Sequence, residues 1–287
     1  MAQKTNVFDT ALRKLFDALA DIVLLCRATH MQIENAASLA NQALEEGRAE
    51  SASSGRQAST SIEISTALSI PDLFKPSHHR LSYQPQSRHD EEMLKLIREL
   101  DNRLQAQCIG LAYEAFAAFL KEMSANLFFC MRKTWTPIAA KAFHKSKPKY
   151  AKAAAKNTPE YFSAYVKYLA NYNSNELLKE LRDMLPDIVS TGEKNWFGDL
   201  FEHYYLVSVI RHLTVHRGGE IGPQSFRKLG AWGKGVATDV TQQSALTGRA
   251  TLLPTVTLTA HLIEGLTALA HVIYRAVSKK LGMKSHL

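Results

Sequence analysis

Apolar residues recur at helical spacing along most of the chain. The first such segment begins at about Asn6 and runs into the 40s, with apolar positions at Phe8, Leu12, Leu15, Phe16, Leu19, Ile22, Val23 and Cys26. Spacings of three and four residues place these side chains on one face of an amphipathic helix. We therefore predict a long N-terminal helix over residues 1–46, which buries that face against another part of the chain.

The following segment, residues 47–86, lacks this periodicity. Residues 45–60 are rich in Ser, Gly and Ala, and prolines follow at positions 71, 76 and 85. This composition is typical of flexible or irregular chain. The sequence predicts a linker here, in which residues 61–65 are a candidate for one short strand.

Helical spacing returns in residues 87–287, which form the third predicted unit. Ser87 and Asp90 are typical of a helix N-terminus, and apolar residues continue at spacings of three and four from there to Met131. Polar caps followed by a proline or an acid indicate further helix starts at Thr136, Thr158 and Ser174. Two more helices are expected over residues 193–216 and 255–281. Because no long stretch alternates with period two, we predict an all-α fold.

Between the last two predicted helices lies a glycine-rich stretch. Residues 217–250 contain seven glycines and two acids. Long connections of this kind are usually functional. The sequence predicts a long Gly-containing loop at this place.

Composition narrows the class of protein and of partner. At 46% hydrophobic residues the chain can bury a large core, and its formal charge of +8 favours a polyanionic partner such as nucleic acid or a membrane surface, without choosing between the two. Asp9, Asp17 and Asp21 interrupt the N-terminus, so a secretory signal is not expected. Polar residues also interrupt the longest apolar run, residues 252–277, so we expect a cytoplasmic protein without a membrane span. Three cysteines, an odd number, favour core positions over a disulfide framework.

One segment combines these features with candidate chemistry. VIRHLTVHRGGEI, residues 209–221, carries Arg211, His212 and His216 into the end of an apolar helix and then stops at two glycines. A structural explanation is that cations at a helix C-terminus are stabilised by the macrodipole. A second is a metal site, since His212 and His216 are four residues apart and His203 or Asp199 offers a third ligand. A third explanation is catalytic.

The catalytic explanation comes from a resemblance. An arginine, a polar residue and a histidine five positions after the arginine, near the end of a helix in an all-helical chain, resemble the Arg-x4-His signature of the HEPN superfamily. The terminating glycines and the final amphipathic helix also fit such a bundle, which would cover about residues 87–281. The resemblance implies a HEPN-like bundle with an extra N-terminal helix. It also implies a metal-independent endoribonuclease without cofactor, in prokaryotic toxin or antiviral defence, with Arg211 and His216 as the catalytic pair.

The chemistry of RNA cleavage suits these residue types. An imidazole exchanges protons near neutral pH, and a guanidinium matches two phosphate oxygens. Five residues of ideal helix, however, separate Arg211 and His216 by about 140° and roughly 7.5 Å along the axis. HEPN ribonucleases resemble one another in pairing two copies of this helix, so a homodimer with a composite site is expected. His212 is assigned an accessory role beside His216, and Arg217 a contact with the flanking RNA backbone.

A basic stretch offers a path for the RNA. Residues 132–156 contain no acid and interleave aromatic rings with eight cations, Arg132, Lys133, Lys141, Lys145, Lys147, Lys149, Lys152 and Lys156. Such a stretch is typical of single-strand binding, although a solvated helical surface has the same composition. The partners expected are RNA, a second copy and a regulatory or antitoxin protein. The alternatives are a non-catalytic HEPN-like module that dimerises and binds RNA or protein, and a purely structural bundle.

Overall fold

A computed structural model describes residues 7–54, 67–71, 78–82, 90–132, 158–172, 174–188, 199–222, 224–227 and 229–283. Seven helices with complete bounds and two short hairpins lie within these ranges, and residues 186–188 are also helical. The helices are α1 (Val7–Ser54), α2 (Asp90–Cys130), α3 (Pro159–Tyr172), α4 (Ser174–Met184), α5 (Leu200–Arg217), α6 (Ala231–Asp239) and α7 (Val256–Lys280). Strands β1 (Ala67–Pro71) and β2 (His78–Ser82) pair antiparallel, as do β3 (Thr241–Gln243) and β4 (Ala250–Leu252). The all-α prediction is confirmed at the level of a mostly helical chain.

Helix α2 is the centre of the bundle. It packs against α1, α3, α4, α5 and α7. Its apolar spacing provides the large buried rings Phe116 and Phe128, which lie in one core with Tyr165 of α3, Tyr204 of α5 and Tyr274 of α7. A helix that is apolar over so much of its circumference is stable only when neighbours surround it. The sequence predicts a start at Ser87, which lies outside the described residues; the predicted continuation through α2 to Cys130 is explained by burial.

Helix α1 lies antiparallel along α2. The ammonium of Lys14 contacts the Glu122 carboxylate, and sixteen residues later the His30 ring lies 2.7 Å from a carboxylate oxygen of Asp101. Phe8, among other apolar residues of α1, belongs to the same hydrophobic core as α2. The N-terminal helix is therefore part of the bundle rather than a unit apart from it.

The predicted linker over residues 47–86 needs correction. Helix α1 continues to Ser54, because Glu45, Glu46 and Arg48 favour helix and the intervening small residues do not end it. Further along, β1 and β2 form a hairpin. The proposed strand over residues 61–65 and the proposed helix start at Thr136 lie outside the described residues.

The predicted loop over residues 217–250 is also wrong in part. Residues 231–239 form α6, and β3 and β4 form a hairpin whose turn is residues 244–249. Glycines at positions 233 and 235 concealed α6 from sequence reasoning, because glycine lowers helix propensity. Gly233 is buried, and a Cβ there would lie 3.0 Å from the Glu202 carboxylate, so close packing explains the glycine.

Helix α7 closes the bundle. Among the described helices it alone is long and apolar enough to cross a membrane. Its buried side, which includes Leu262, Leu266, Leu269 and Ile273, packs on α1, α2 and α5. Thr255 caps its first turn by accepting a hydrogen bond from the Leu258 amide. The predicted range, 255–281, agrees with the observed one to within a residue at each end.

Candidate functional site

Helix α5 presents the motif, and both of its ends are fixed by side chains and glycines. Asp199 caps the first turn by accepting a 2.8 Å hydrogen bond from the Phe201 amide. At the other end Gly218 has a left-handed backbone with φ of 59°, and the amides of Gly218 and Gly219 donate to the Leu213 carbonyl. Glycine takes this conformation without the steric cost of a Cβ. The predicted end of the helix is confirmed.

Arg211 faces α2. Its Nε and Nη2 donate to the same carboxylate oxygen of Glu114, at 2.9 and 2.7 Å. Its guanidinium carbon lies 5.8 Å from the ring centroid of Tyr113, and its Cγ lies close to Gly110. Nη1 has no hydrogen-bond partner among the described residues. One edge of the guanidinium is thus held by Glu114, while the other is available to an anion.

The two histidines of the motif lie on the exposed side of α5. Their ring centroids are 4.9 Å apart, as expected for residues one turn apart. Val215, between them in sequence, is 59% exposed, and Leu111 on the adjacent α2 is also exposed. We name this surface of α5, formed by Arg211, His212, Val215 and His216, the motif face. It combines titratable and cationic groups with an uncovered apolar side chain.

The end of the motif helix is anchored by a network that sequence reasoning missed. Arg103 of α2 donates to the carbonyl of Gly218 and to the hydroxyl of Ser244. It is itself held by Glu99, which is only 4% exposed and also accepts 2.6 Å hydrogen bonds from the Ser244 hydroxyl and the Ala245 amide. A rigid C-terminus of α5 follows, because the glycine cap is tied to both α2 and the β3–β4 turn.

The network also determines the charge state of Glu99. Burial raises the pKa of this carboxyl, but hydrogen bonds from Ser244, Arg103 and the Ala245 amide together lower it below its ordinary value. The ionised form is therefore the one that the fold stabilises. The Glu99–Arg103 spacing of four residues is visible in the sequence, whereas Ser244 lies 145 positions from Glu99 and gives no sequence signal.

The other predicted RNA contacts are only partly described. Arg217 is exposed, and its Nη1 lies against Gly222, so its side chain turns toward the loop after α5. Arg132 is exposed, with its guanidinium 4.4 Å from the ring centroid of Phe129. The seven lysines from Lys133 to Lys156 lie outside the described residues.

The proposed metal site is not assembled. His203 lies nine residues before His212, about 13 Å along the helix, and it is buried between Trp232 and His261. Asp199 caps the N-terminus of α5, still further from His216. No group of three or more metal-ligating side chains occurs within the residues that the structure describes.

No protein-family model matches the sequence, and no curated protein and no solved structure is detectably similar to it.

Proposed function

We propose that this chain is a HEPN-like, metal-independent endoribonuclease that acts as a homodimer, with Arg211 and His216 as its catalytic pair. The observation that carries the proposal is the motif face: two neighbouring histidines and an arginine, whose Nη1 has no partner among the described residues, lie around the exposed Val215. The biological setting, prokaryotic toxin or antiviral defence, belongs to the same proposal and rests on the resemblance of the motif.

The two-fold arrangement follows from the separation of the two groups. Arg211 contacts Glu114 of α2, and five residues of helix place His216 about 140° further around α5, so a single copy does not present the two groups side by side. Two copies related by a two-fold axis through the motif face bring both pairs into one cleft. The exposed Val215 supplies apolar surface for that contact, because a second copy would remove it from water.

The reaction requires one proton acceptor, one anion-binding group and one proton donor. His216 removes the proton of a ribose 2′-hydroxyl, whose oxygen attacks the adjacent phosphorus. Arg211 neutralises the negative charge that accumulates on the phosphate oxygens. The bond to the 5′-oxygen then breaks, and the second copy's His216 delivers the proton that this oxygen needs. The products are a 2′,3′-cyclic phosphate and a 5′-hydroxyl.

Glu114 competes with the RNA for Arg211. The carboxylate and the guanidinium are both partly exposed, and ion pairs of this kind contribute only about 0–1 kcal/mol. A phosphodiester that binds Nη1 and Nη2 together competes with Glu114 for Nη2, and it can therefore displace Glu114 at small cost. The same contact favours a second candidate function, a non-catalytic module that binds RNA or protein, in which Glu114 keeps Arg211 occupied.

A cleavage assay in excess EDTA tests the proposal. Wild-type protein should cut a labelled single-stranded RNA and leave 2′,3′-cyclic phosphate ends, and Arg211→Ala and His216→Ala should each lower the rate by about 100-fold or more. Arg98→Ala, which removes an exposed arginine of α2 away from the motif face, is the matched control. RNA binding without cleavage by the wild type would favour the non-catalytic module, and cleavage retained by His216→Ala would refute the catalytic assignment.

A further inference from the structure

Helix α1 has a second apolar surface, on the side opposite to the core. Leu24, Met31 and Leu39 are 68%, 65% and 68% exposed, and the smaller Ala28 and the polar Asn35 lie between them on the same side. We name this surface the outer stripe. The residues that α1 buries, such as Leu15, Leu19 and Cys26, are about half a turn away from it. No described element covers the outer stripe, and a line of exposed aliphatic side chains along one side of a helix offers apolar surface to a partner.

The spacing of the outer stripe is self-complementary. Leu24 precedes Met31 by seven residues and Leu39 follows it by eight, so the three side chains extend over about 22 Å of helix. When two copies of α1 lie antiparallel about a two-fold axis near Met31, Leu24 of each copy meets Leu39 of the other. The two Met31 side chains then meet at the axis. A seven-residue spacing of apolar residues is the one that paired helices use.

The charges beside the outer stripe agree with the same arrangement. Arg27 and Glu34 are exposed, lie seven residues apart and occupy the same flank of the stripe. When two helices pair antiparallel about a two-fold axis, the same flank of each helix faces its counterpart on the other copy. Arg27 of each copy therefore lies opposite Glu34 of the other copy, which gives two equivalent charge pairs. Neither side chain forms an ion pair with any residue in the described ranges.

A groove continues from the outer stripe toward α7. It has a volume of about 390 Å³ and lies between α1, with Phe16, Val23, Leu24 and Arg27, and α7, with Ile263 and Thr267. Leu24 lines this groove and is part of the outer stripe, while Arg27 lines the groove and lies on the flank of the stripe. A helix placed on the stripe therefore also covers the open end of the groove, which adds apolar contact area to the three large side chains.

We infer that the outer stripe of α1 is an interface with a second copy of this chain, in which two α1 helices pair antiparallel about a two-fold axis near Met31. The spacing of the apolar residues and the positions of Arg27 and Glu34 identify the partner helix as a second α1. When α1 is reversed, its own apolar residues and charges lie opposite the complementary groups of the first copy. The inference does not depend on the ribonuclease proposal. The contact is small, so association in the micromolar range is expected.

The test must separate this interface from the motif face. Val215→Asp places a charge in the motif face, and the full-length Val215→Asp protein should still form a dimer by sedimentation equilibrium. Adding Arg27→Glu should weaken that dimer about tenfold or more, because two attractive contacts become repulsive. Adding Glu34→Arg as well should restore association, and Arg48→Glu, on the same helix away from the stripe, should leave it unchanged.

The outcomes are distinguishable from those of the cleavage assay. A monomeric Val215→Asp protein, or a dimer that Arg27→Glu does not weaken, would overturn the pairing of α1 while leaving the ribonuclease proposal intact. Recovery of the dimer by the charge-reversed double variant cannot result from a folding defect. In a Cys130→Ser background, Met31→Cys should also be joined between copies by a short bismaleimide, whereas Arg48→Cys should not.

Discussion

At the scale of single residues, the buried carboxylate of Glu99 has the clearest consequence. We expect Glu99→Gln to lower the free energy of unfolding at pH 7 by roughly 1.5–3 kcal/mol, because an amide replaces the charged acceptor of the Ser244 hydroxyl and the Arg103 guanidinium. Urea denaturation measures the loss. Glu114→Gln, which changes an exposed carboxylate on the same helix, should cost less than about 1 kcal/mol.

The same residue predicts an acid dependence of stability. The pKa of Glu99 is held below its ordinary value of 4.5, so the unfolded chain takes up this proton first as the pH falls. The stabilisation is therefore complete above about pH 4.5 and is lost as the pH falls through the lower pKa of the folded protein. The difference in unfolding free energy between wild type and Glu99→Gln should shrink from pH 6 to pH 3. A constant difference would contradict this explanation.

Glu114 allows a residue-scale test of how Arg211 is occupied. If RNA must displace this carboxylate, Glu114→Gln should bind single-stranded RNA up to about fivefold more tightly, which is the range of a surface ion pair. Fluorescence anisotropy at fixed salt measures the affinity. Glu122→Gln changes the net charge equally, but its carboxylate contacts Lys14 and not the motif face. An equal gain in both variants would indicate a general charge effect instead.

At the scale of elements, the glycine cap of α5 positions the histidines. Gly218→Ala should lower the free energy of unfolding by about 1–2 kcal/mol, because residue 218 has a left-handed backbone. No steric clash adds to this loss, since no atom lies within 4 Å of the added Cβ. Gly219→Ala should cost more, since φ is 87° and the added Cβ would lie 3.0 Å from Thr251 Cγ2. Thermal unfolding of the two variants gives the order, and the reverse order would contradict the packing argument.

The elements also define what the sequence could predict. Helical spacing, polar caps and terminating glycines suffice for α2, α3, α4, α5 and α7, because local interactions decide these features. They fail for α6, where close packing beside Glu202 favours glycines that lower helix propensity. They fail again at the C-terminus of α1, where composition resembled a linker. The contacts of Arg211 and Arg103 join residues about 100 positions apart, and no local pattern encodes such pairs.

At the scale of the whole molecule, the net charge of +8 predicts salt-dependent RNA binding. When the logarithm of the binding constant is plotted against the logarithm of the salt concentration, each phosphate contact on a single strand contributes about −0.7 to the slope. Replacing Lys141, Lys145 and Lys147 by Ala should therefore flatten the slope by about 2 if all three bind phosphate. Replacing Lys121, Lys179 and Lys280, which are exposed on described helices, is the control. Equal slopes for the two variants would exclude the basic stretch as the RNA path.

The composite site makes a further prediction about the whole molecule. If one cleft needs His216 from both copies, a dimer with one His216→Ala copy is inactive. After equal amounts of wild-type and His216→Ala protein have exchanged subunits, about a quarter of the dimers contain two wild-type copies. Cleavage should then fall to about a quarter of the undiluted wild-type rate, whereas copies that act independently retain about half.

The control for the subunit-exchange experiment is a variant that should not dimerise through the motif face. Val215→Asp combined with His216→Ala should not inhibit the wild type, because its motif face carries a charge where the apolar contact forms. Pairing through α1 remains available to this variant, so inhibition by it would move the functional contact from the motif face to the outer stripe. The titration thus determines both how many copies one reaction needs and which of the two surfaces brings those copies together.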